Sequence, residues 1–244
     1  MRSPTPRRHI RVGHDRLAAG YDLPRHQHFE AYATLVLKGT YEQLAYAGRL
    51  KPEAGDVVIQ PTFDCHANRM LSRGLELIRL PWRREPTLGG VYRGCRIDMI
   101  QAAAKRNITE AVALLEDEIA QRDPLPTGFD DWADLLARDL AADPKLRIAV
   151  WADCATLSRE RVSRGFASVY GVAPTQFRSE LKARTAWLRI TETVDPLATI
   201  AAEIFSDQAH MTRAVKALSG ATPTQWRRSH SFKTSYLYTT KLDA

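Results

Sequence analysis

Two hydrophobic rhythms divide this chain. Up to about residue 80 the apolar residues fall in short runs, and Gly or Pro closes each run. Ala31 to Leu37 ends at Lys38-Gly39, and Tyr41 to Tyr46 alternates before Ala47-Gly48. Val57 to Ile59 ends near Pro61, and Leu75 to Leu80 alternates up to Pro81. Such runs, at ~8–12-residue spacing with turn residues between, predict a small antiparallel β-barrel or sandwich. Past residue 107 the period lengthens. Val112, Leu115 and Ile119 recur at helical spacing, with Thr109 as the expected N-cap. Asp123-Pro-Leu-Pro126 and Gly128 break the pattern. A second helix, Asp130 to Ala142, is predicted to set Trp132, Leu135, Leu136 and Leu140 on one stripe.

The last third repeats itself. Ser163 to Arg178 matches Thr212 to Arg227 at an offset of 49, with Arg164/Arg213, Gly171/Gly220, Pro174/Pro223, Thr175/Thr224, Gln176/Gln225 and Arg178/Arg227 identical. Each copy parses alike. A short helix runs from Pro144 to about Cys154, or from Pro196 to Ile204. A capping residue follows, Ser158 or Ser206. A second helix stops at Gly171 or Gly220, and a third starts at Pro174 or Pro223. Helix, tight turn and capped second helix make the helix-turn-helix plan. Pro174 to Thr191 reads as one long helix joining the copies.

The repeat resembles the C-terminal DNA-binding domain of AraC/XylS-family transcription regulators, over about residues 144–228. Ser158, Ser163-Arg164, Phe166, Gly171 and Pro174 carry the resemblance in the first copy. Ile200-Ala201-Ala202, Phe205-Ser206, Gln208, Met211-Thr212-Arg213, Gly220, Pro223 and Trp226-Arg227 carry it in the second. Ile204 and Val215 depart from the family's usual Gly and Phe, and the first helix of the first copy matches poorly. The resemblance implies double-stranded DNA as partner, a homodimer, and a small-molecule effector as a further possible partner. In such a motif the second helix enters the major groove, and two of them on a rigid connector reach successive grooves ~34 Å apart. The base-reading candidates are Arg159, Glu160, Ser163 and Arg164 in the first copy and Gln208, Ala209, Thr212 and Arg213 in the second. Arg suits guanine, Gln suits adenine, and Ala or Thr suits the thymine methyl. Arg161, Lys182, Arg184, Lys216, Arg227 and Arg228 are candidates for phosphates, which set affinity rather than sequence. Val162, Phe166, Val169, Met211 and Leu218 sit at core spacing.

Three histidines stand apart from this. His26-Gln27-His28 precedes the first expected strand and His66 follows Pro61. On a strand, residues i and i+2 share a face, so His26 and His28 converge. With Gly20, Gly39, Gly55 and Pro61 they resemble the two cupin motifs, in which two His, a Glu and a later His bind a divalent metal. Tyr32 and Ala33 occupy the Glu positions here and Phe63 replaces a Gly. A three-His metal site and simple hydrogen bonding at the barrel mouth both stay open. The first would make the chain a metal-dependent enzyme or a metal sensor.

The expected fold class is α+β: a cupin-like barrel for sensing or dimerisation (1–95), a helical linker region (96–143), an all-α tandem helix-turn-helix domain (144–230) and a tail (231–244). Charge agrees with this division. Residues 1–95 and 144–228 each carry +6, the middle carries −6, and the whole chain of 244 residues carries +7. A basic C-terminal block invites a polyanion. Three widely spaced cysteines suit a reduced compartment, and with no leader-like segment the expectation is a cytoplasmic protein without membrane association. No nucleophile motif, phosphate loop or paired-carboxylate pattern occurs, so no catalytic residue or required cofactor is expected.

Overall fold

A computed structural model describes residues 6–128 and 131–229; the segment 231–244, set apart as a tail, lies outside them. The described chain divides into two compact units. The first takes in residues 6–142 and 147–174, the second 143–146 and 175–229.

The first unit begins with ten strands: β1 (Arg7–Arg8), β2 (Gly13–Ala18), β3 (Leu23–His28), β4 (Tyr32–Lys38), β5 (Tyr41–Ala45), β6 (Gly48–Leu50), β7 (Val57–Gln60), β8 (His66–Met70), β9 (Gly74–Pro81) and β10 (Gly90–Tyr92). They form two five-stranded sheets, ordered β1-β3-β8-β5-β6 and β10-β7-β4-β9-β2. All pairings are antiparallel except β1 with β3. The class is α+β as expected, but the barrel is not closed. Three of its four edge strands, β1, β6 and β10, are only two or three residues long, too short to carry a ladder from one sheet to the other, and the fourth, β2, pairs with β9 of its own sheet. His26 and His28 stand within strand β3, not ahead of the strands.

Alternation in β4 sorts the packing. Ala33 and Leu35, with Ile59, Ile78 and Leu80, pack against Ile100 and Ala103 of helix α1 (Ile97–Arg106) and Val112 and Leu115 of α2 (Ile108–Ala120). Val36 joins Tyr41, Leu50, Val58, Leu75 and Leu77 in a second cluster drawn from both sheets. The polar run before Asn107 hid α1 from the sequence reading. Its only fully buried positions are Ile100 and Ala103. Asn107, not Thr109, caps α2, its Oδ1 accepting from the Thr109 and Glu110 amides.

Helix α3 (Trp132–Ala142) keeps Leu136 and Leu140 buried while Leu135 is exposed. The first copy of the repeat completes the unit as α4 (Ile148–Cys154) and α5 (Arg159–Tyr170).

The second unit holds α6 (Pro174–Glu192, starting at the boundary), α7 (Leu197–Ile204), α8 (Gln208–Ser219) and a last helix, α9, over 223–229. Its core joins Ala186, Ile190, Ile200, Phe205, Met211 and Val215. Trp187 meets Trp226 edge-on at 5.8 Å, and the Trp226 indole donates to Ser219 Oγ. No described helix is long and apolar enough to cross a membrane.

Candidate nucleic-acid interface and histidine cluster

Helices α5 and α8 are the two second helices of the repeat, each twelve residues long. Both end on a left-handed glycine, Gly171 (φ 74°) and Gly220 (φ 86°), a conformation that side chains with a Cβ rarely adopt. Ser158 caps α5 through the Arg161 amide at 3.2 Å. In the second copy Asp207 takes over the role expected of Ser206. Its Oδ1 accepts from the His210 amide at 2.6 Å, while Ser206 Oγ donates to its other oxygen. That contact with a backbone N–H, ahead of burial, holds the Asp207 carboxyl below the usual aspartate range.

Each helix buries one face and exposes the other. In α5, Val162, Phe166 and Tyr170 are buried, whereas Arg159, Glu160, Ser163 and Arg164 are exposed. Val169, expected in the core, is only half-buried. In α8, Met211, Val215 and Leu218 are buried, and Gln208, Ala209 and Arg213 are exposed. Arg164 pairs with Glu160 one turn back at 3.1 Å, a surface contact that contributes about 0.3–0.5 kcal/mol at most and is readily exchanged. Thr212 is half-buried, and its hydroxyl donates to Gln208 O at 2.8 Å. The α8 face therefore presents Gln208, Ala209, Arg213 and Lys216.

The phosphate candidates separate. Arg161, Lys216 and Arg228 are exposed. Arg184 is 3% exposed, so it is a packing residue rather than a phosphate contact. Arg227 donates to Thr193 O and Asp195 O at 2.9 and 2.8 Å, closing the chain beyond α6 instead of reaching outward. Lys182 is half-buried, and burial, then the neighbouring cations Arg178 and Lys145, lowers its pKa.

Contacts across the first unit hold α5 in place, and no local pattern in the chain marks them. Asp134 of α3 is fully buried. It accepts from Arg49 Nε of β6 at 3.1 Å and from the Tyr170 hydroxyl of α5 at 2.8 Å. Arg49 also reaches Asp131 at 3.3 Å and Glu42 at 3.4 Å. Burial, then the Asp134 charge, raises the Tyr170 pKa, which keeps the phenol protonated and donating. Beside this group Gly165 faces the Trp132 ring; a Cβ there would lie 2.5 Å from it. Trp151 of α4 donates to Asp139 at 2.9 Å.

The three histidines do come together. His26 and His66 pair across β3 and β8, and their ring centroids lie 4.4 Å apart. His28 stands 5.0 Å from His26 and 5.5 Å from His66. All three are buried. Burial lowers the pKa of each, that of His28 to about 3, so the rings are neutral at pH 7. His26 Nδ1 bonds Pro24 O at 2.9 Å and His66 Nδ1 bonds Asp64 O at 3.0 Å. A carbonyl only accepts, so the His26 proton sits on Nδ1, whereas His66 Nδ1 also lies 3.1 Å from the Gln60 amide nitrogen, a donor. His28 makes a backbone hydrogen bond to Arg8.

Residues 151–229 match the family model of a helix-turn-helix domain. No curated protein matches the chain. Among solved structures, ToxT from Vibrio cholerae, crystallised with an unsaturated fatty acid, is similar at 10% identity and a TM-score of 0.40, over 88% of this chain and 94% of that one. The C-terminal domain of AraT, a response regulator from Geobacillus stearothermophilus, is similar at 19% identity and a TM-score of 0.38, over 40% of this chain and 84% of that domain.

Proposed function

We propose that this chain, whose residues 151–229 are a helix-turn-helix domain of the AraC/XylS type, is a sequence-specific DNA-binding transcription regulator. The observation that carries the reading is the paired exposure on α5 and α8. Two repeats of one motif each bury an apolar face and present long polar side chains at corresponding positions. Arg159, Glu160, Ser163 and Arg164 read one half-site. Gln208, Ala209 and Arg213 read the other, with Thr212 at the edge of that face. Arg161, Lys216 and Arg228 take phosphates. The first unit supplies the input, a ligand or a second copy of the chain forming a homodimer, and the protein works in the cytoplasm. Nothing in this reading calls for catalysis.

The test is selection of bound sequences from a random duplex pool, followed by anisotropy on the enriched duplexes across a salt series. Enrichment of a two-part motif, its centres about one helical turn apart, is the expected result. Steep salt dependence with no enriched motif would leave only electrostatic binding and overturn the reading.

A further inference from the structure

Three imidazoles packed together with no carboxylate among them need an explanation. Each spends one ring nitrogen on the backbone: His26 on Pro24, His66 on Asp64 and His28 on Arg8. These bonds orient the rings, the arrangement that backbone carbonyls impose on metal-ligating histidines. The nitrogens left over include His66 Nε2 and His28 Nδ1, both buried with no hydrogen-bond partner. His66 itself has no solvent exposure. Buried polar atoms in native proteins are satisfied as a rule, so two orphans side by side mark a missing ligand.

The geometry and chemistry of the donors decide what that ligand is. One ligand atom from each histidine lies within 4.8 Å of the other two. Nitrogens on a tetrahedral zinc at 2.0–2.1 Å are roughly 3.3 Å apart. Each nitrogen has to move toward the common centre by about 1 Å at most to reach that spacing. An imidazole-only set suits zinc, copper, nickel or ferrous iron, not magnesium or calcium, which take oxygen ligands.

We propose that His26, His28 and His66 bind one divalent transition-metal ion, leaving one coordination position open, and that its occupancy tunes DNA binding through β3 and α5. The second part rests on the reading of α5 as a DNA-contacting helix. The connection lies within the first unit. Pro24 and Arg25, just before His26 on β3, line a cleft of about 320 Å³ with Ser168, Val169 and Gly171 at the end of α5. At Gly171 a Cβ would lie 3.7 Å from Arg25 Cβ. Drawing His26 toward an ion therefore shifts the strand on which the end of α5 rests.

The full-length chain, stripped with chelator and dialysed, is titrated with Zn²⁺ and with Co²⁺, and bound metal is measured by elemental analysis. One ion per chain is expected. The Co²⁺ spectrum should show nitrogen ligation without a thiolate band, since neighbouring Cys65 is not a ligand. At saturation Tm should rise by roughly 5–10 °C. H28Q and H66Q should each lose stoichiometric binding. H14Q, altering an exposed histidine that pairs with Glu76, should keep it. If a cluster variant fails to fold, the wild-type stoichiometry, Co²⁺ spectrum and Tm shift still decide the matter. No retained metal in the wild type, or binding that survives all three of H26Q, H28Q and H66Q, overturns the site. Anisotropy on an enriched duplex, with metal and with chelator, tests the regulation. A change in Kd of about five-fold or more is expected, and an unchanged Kd with the site full overturns that part. Metal bound while no duplex is enriched would sink the DNA reading and leave the site standing.

Discussion

A carboxylate with no solvent exposure needs a cation and hydrogen-bond donors, and Asp134 has Arg49 and Tyr170. Removing Asp134 leaves Arg49 its contacts with Asp131 and Glu42, whereas removing Arg49 leaves the buried Asp134 without its cation. Arg49→Ala should therefore cost about 3–5 kcal/mol, and Tyr170→Phe about 1.5–3, the range for a bond to a charged group. Denaturant titration of both variants checks the order; equal, small losses would mean that Asp134 is solvated. On the surface proposed to face DNA, chemistry separates the residues. Gln208→Ala should weaken binding by ~1–3 kcal/mol and relax preference at one base position, whereas Lys216→Ala should weaken all sequences alike and flatten the salt slope by about one unit. Anisotropy on matched and mismatched duplexes distinguishes them, and a uniform loss from Gln208→Ala would remove it from base reading. The exposure of these residues was partly legible in the chain. Gln208 and Lys216 lie in a repeat whose spacing shows which face is apolar. Arg184 and Arg227 look the same as Lys216 in the sequence, because burial and a carbonyl partner far along the chain leave no local mark. The i, i+2 spacing of His26 and His28 announced their convergence, and the pairing of β3 with β8 then brought His66 to them.

The helices of the repeat were legible because their stop signals are chemical. Gly171 and Gly220 end α5 and α8 where the sequence places the ends. The cap of α8 was not. Ser206 and Asp207 both suit an N-cap, and only the backbone geometry chooses Asp207. Strands β1, β2, β3 and β8 went unread because their sequences are polar: β3 is Leu-Pro-Arg-His-Gln-His, yet its last four residues are buried. A polar interior defeats a hydrophobic pattern. Gly165 gives a test at this scale. Alanine in a helix interior is favoured over glycine by up to about 1 kcal/mol. Here its methyl would strike the Trp132 ring, and overpacking costs about 1–3 kcal/mol. Gly165→Ala should therefore lower Tm despite its better helix propensity. A rise in Tm would show that α5 does not rest on Trp132.

Over the whole molecule, charge and structure tell different parts of the organisation. The acidic stretch between the basic ends suggests a solvated connector. In the structure several of its acids have partners within the first unit: Asp131 and Asp134 meet Arg49, and Glu118 meets Arg96 and Arg122. The two copies of the repeat, alike in sequence, do not share a unit. α4 and α5 belong with the sheets, and α7 and α8 belong to the second unit. Sequence similarity cannot reveal this, because the partners that hold α5 in place, Trp132 and Asp134 of α3 and Arg49 of β6 behind them, lie outside the repeat.

The sequence invites excision at residue 143, where the repeat begins. Tyr170 and the Gly165 surface are covered in part by Asp134 and Trp132, which such a cut discards. A fragment of residues 144–229 should therefore be a poor reagent: sticky at the α5 end, heterogeneous on size exclusion, and protecting one half-site in a footprint where the whole chain protects two. A monodisperse fragment with the full footprint would show that α5 needs no help from the sheets. For anyone preparing this chain for DNA work, the usable seam is not where the repeat starts, and the whole chain is the piece to use.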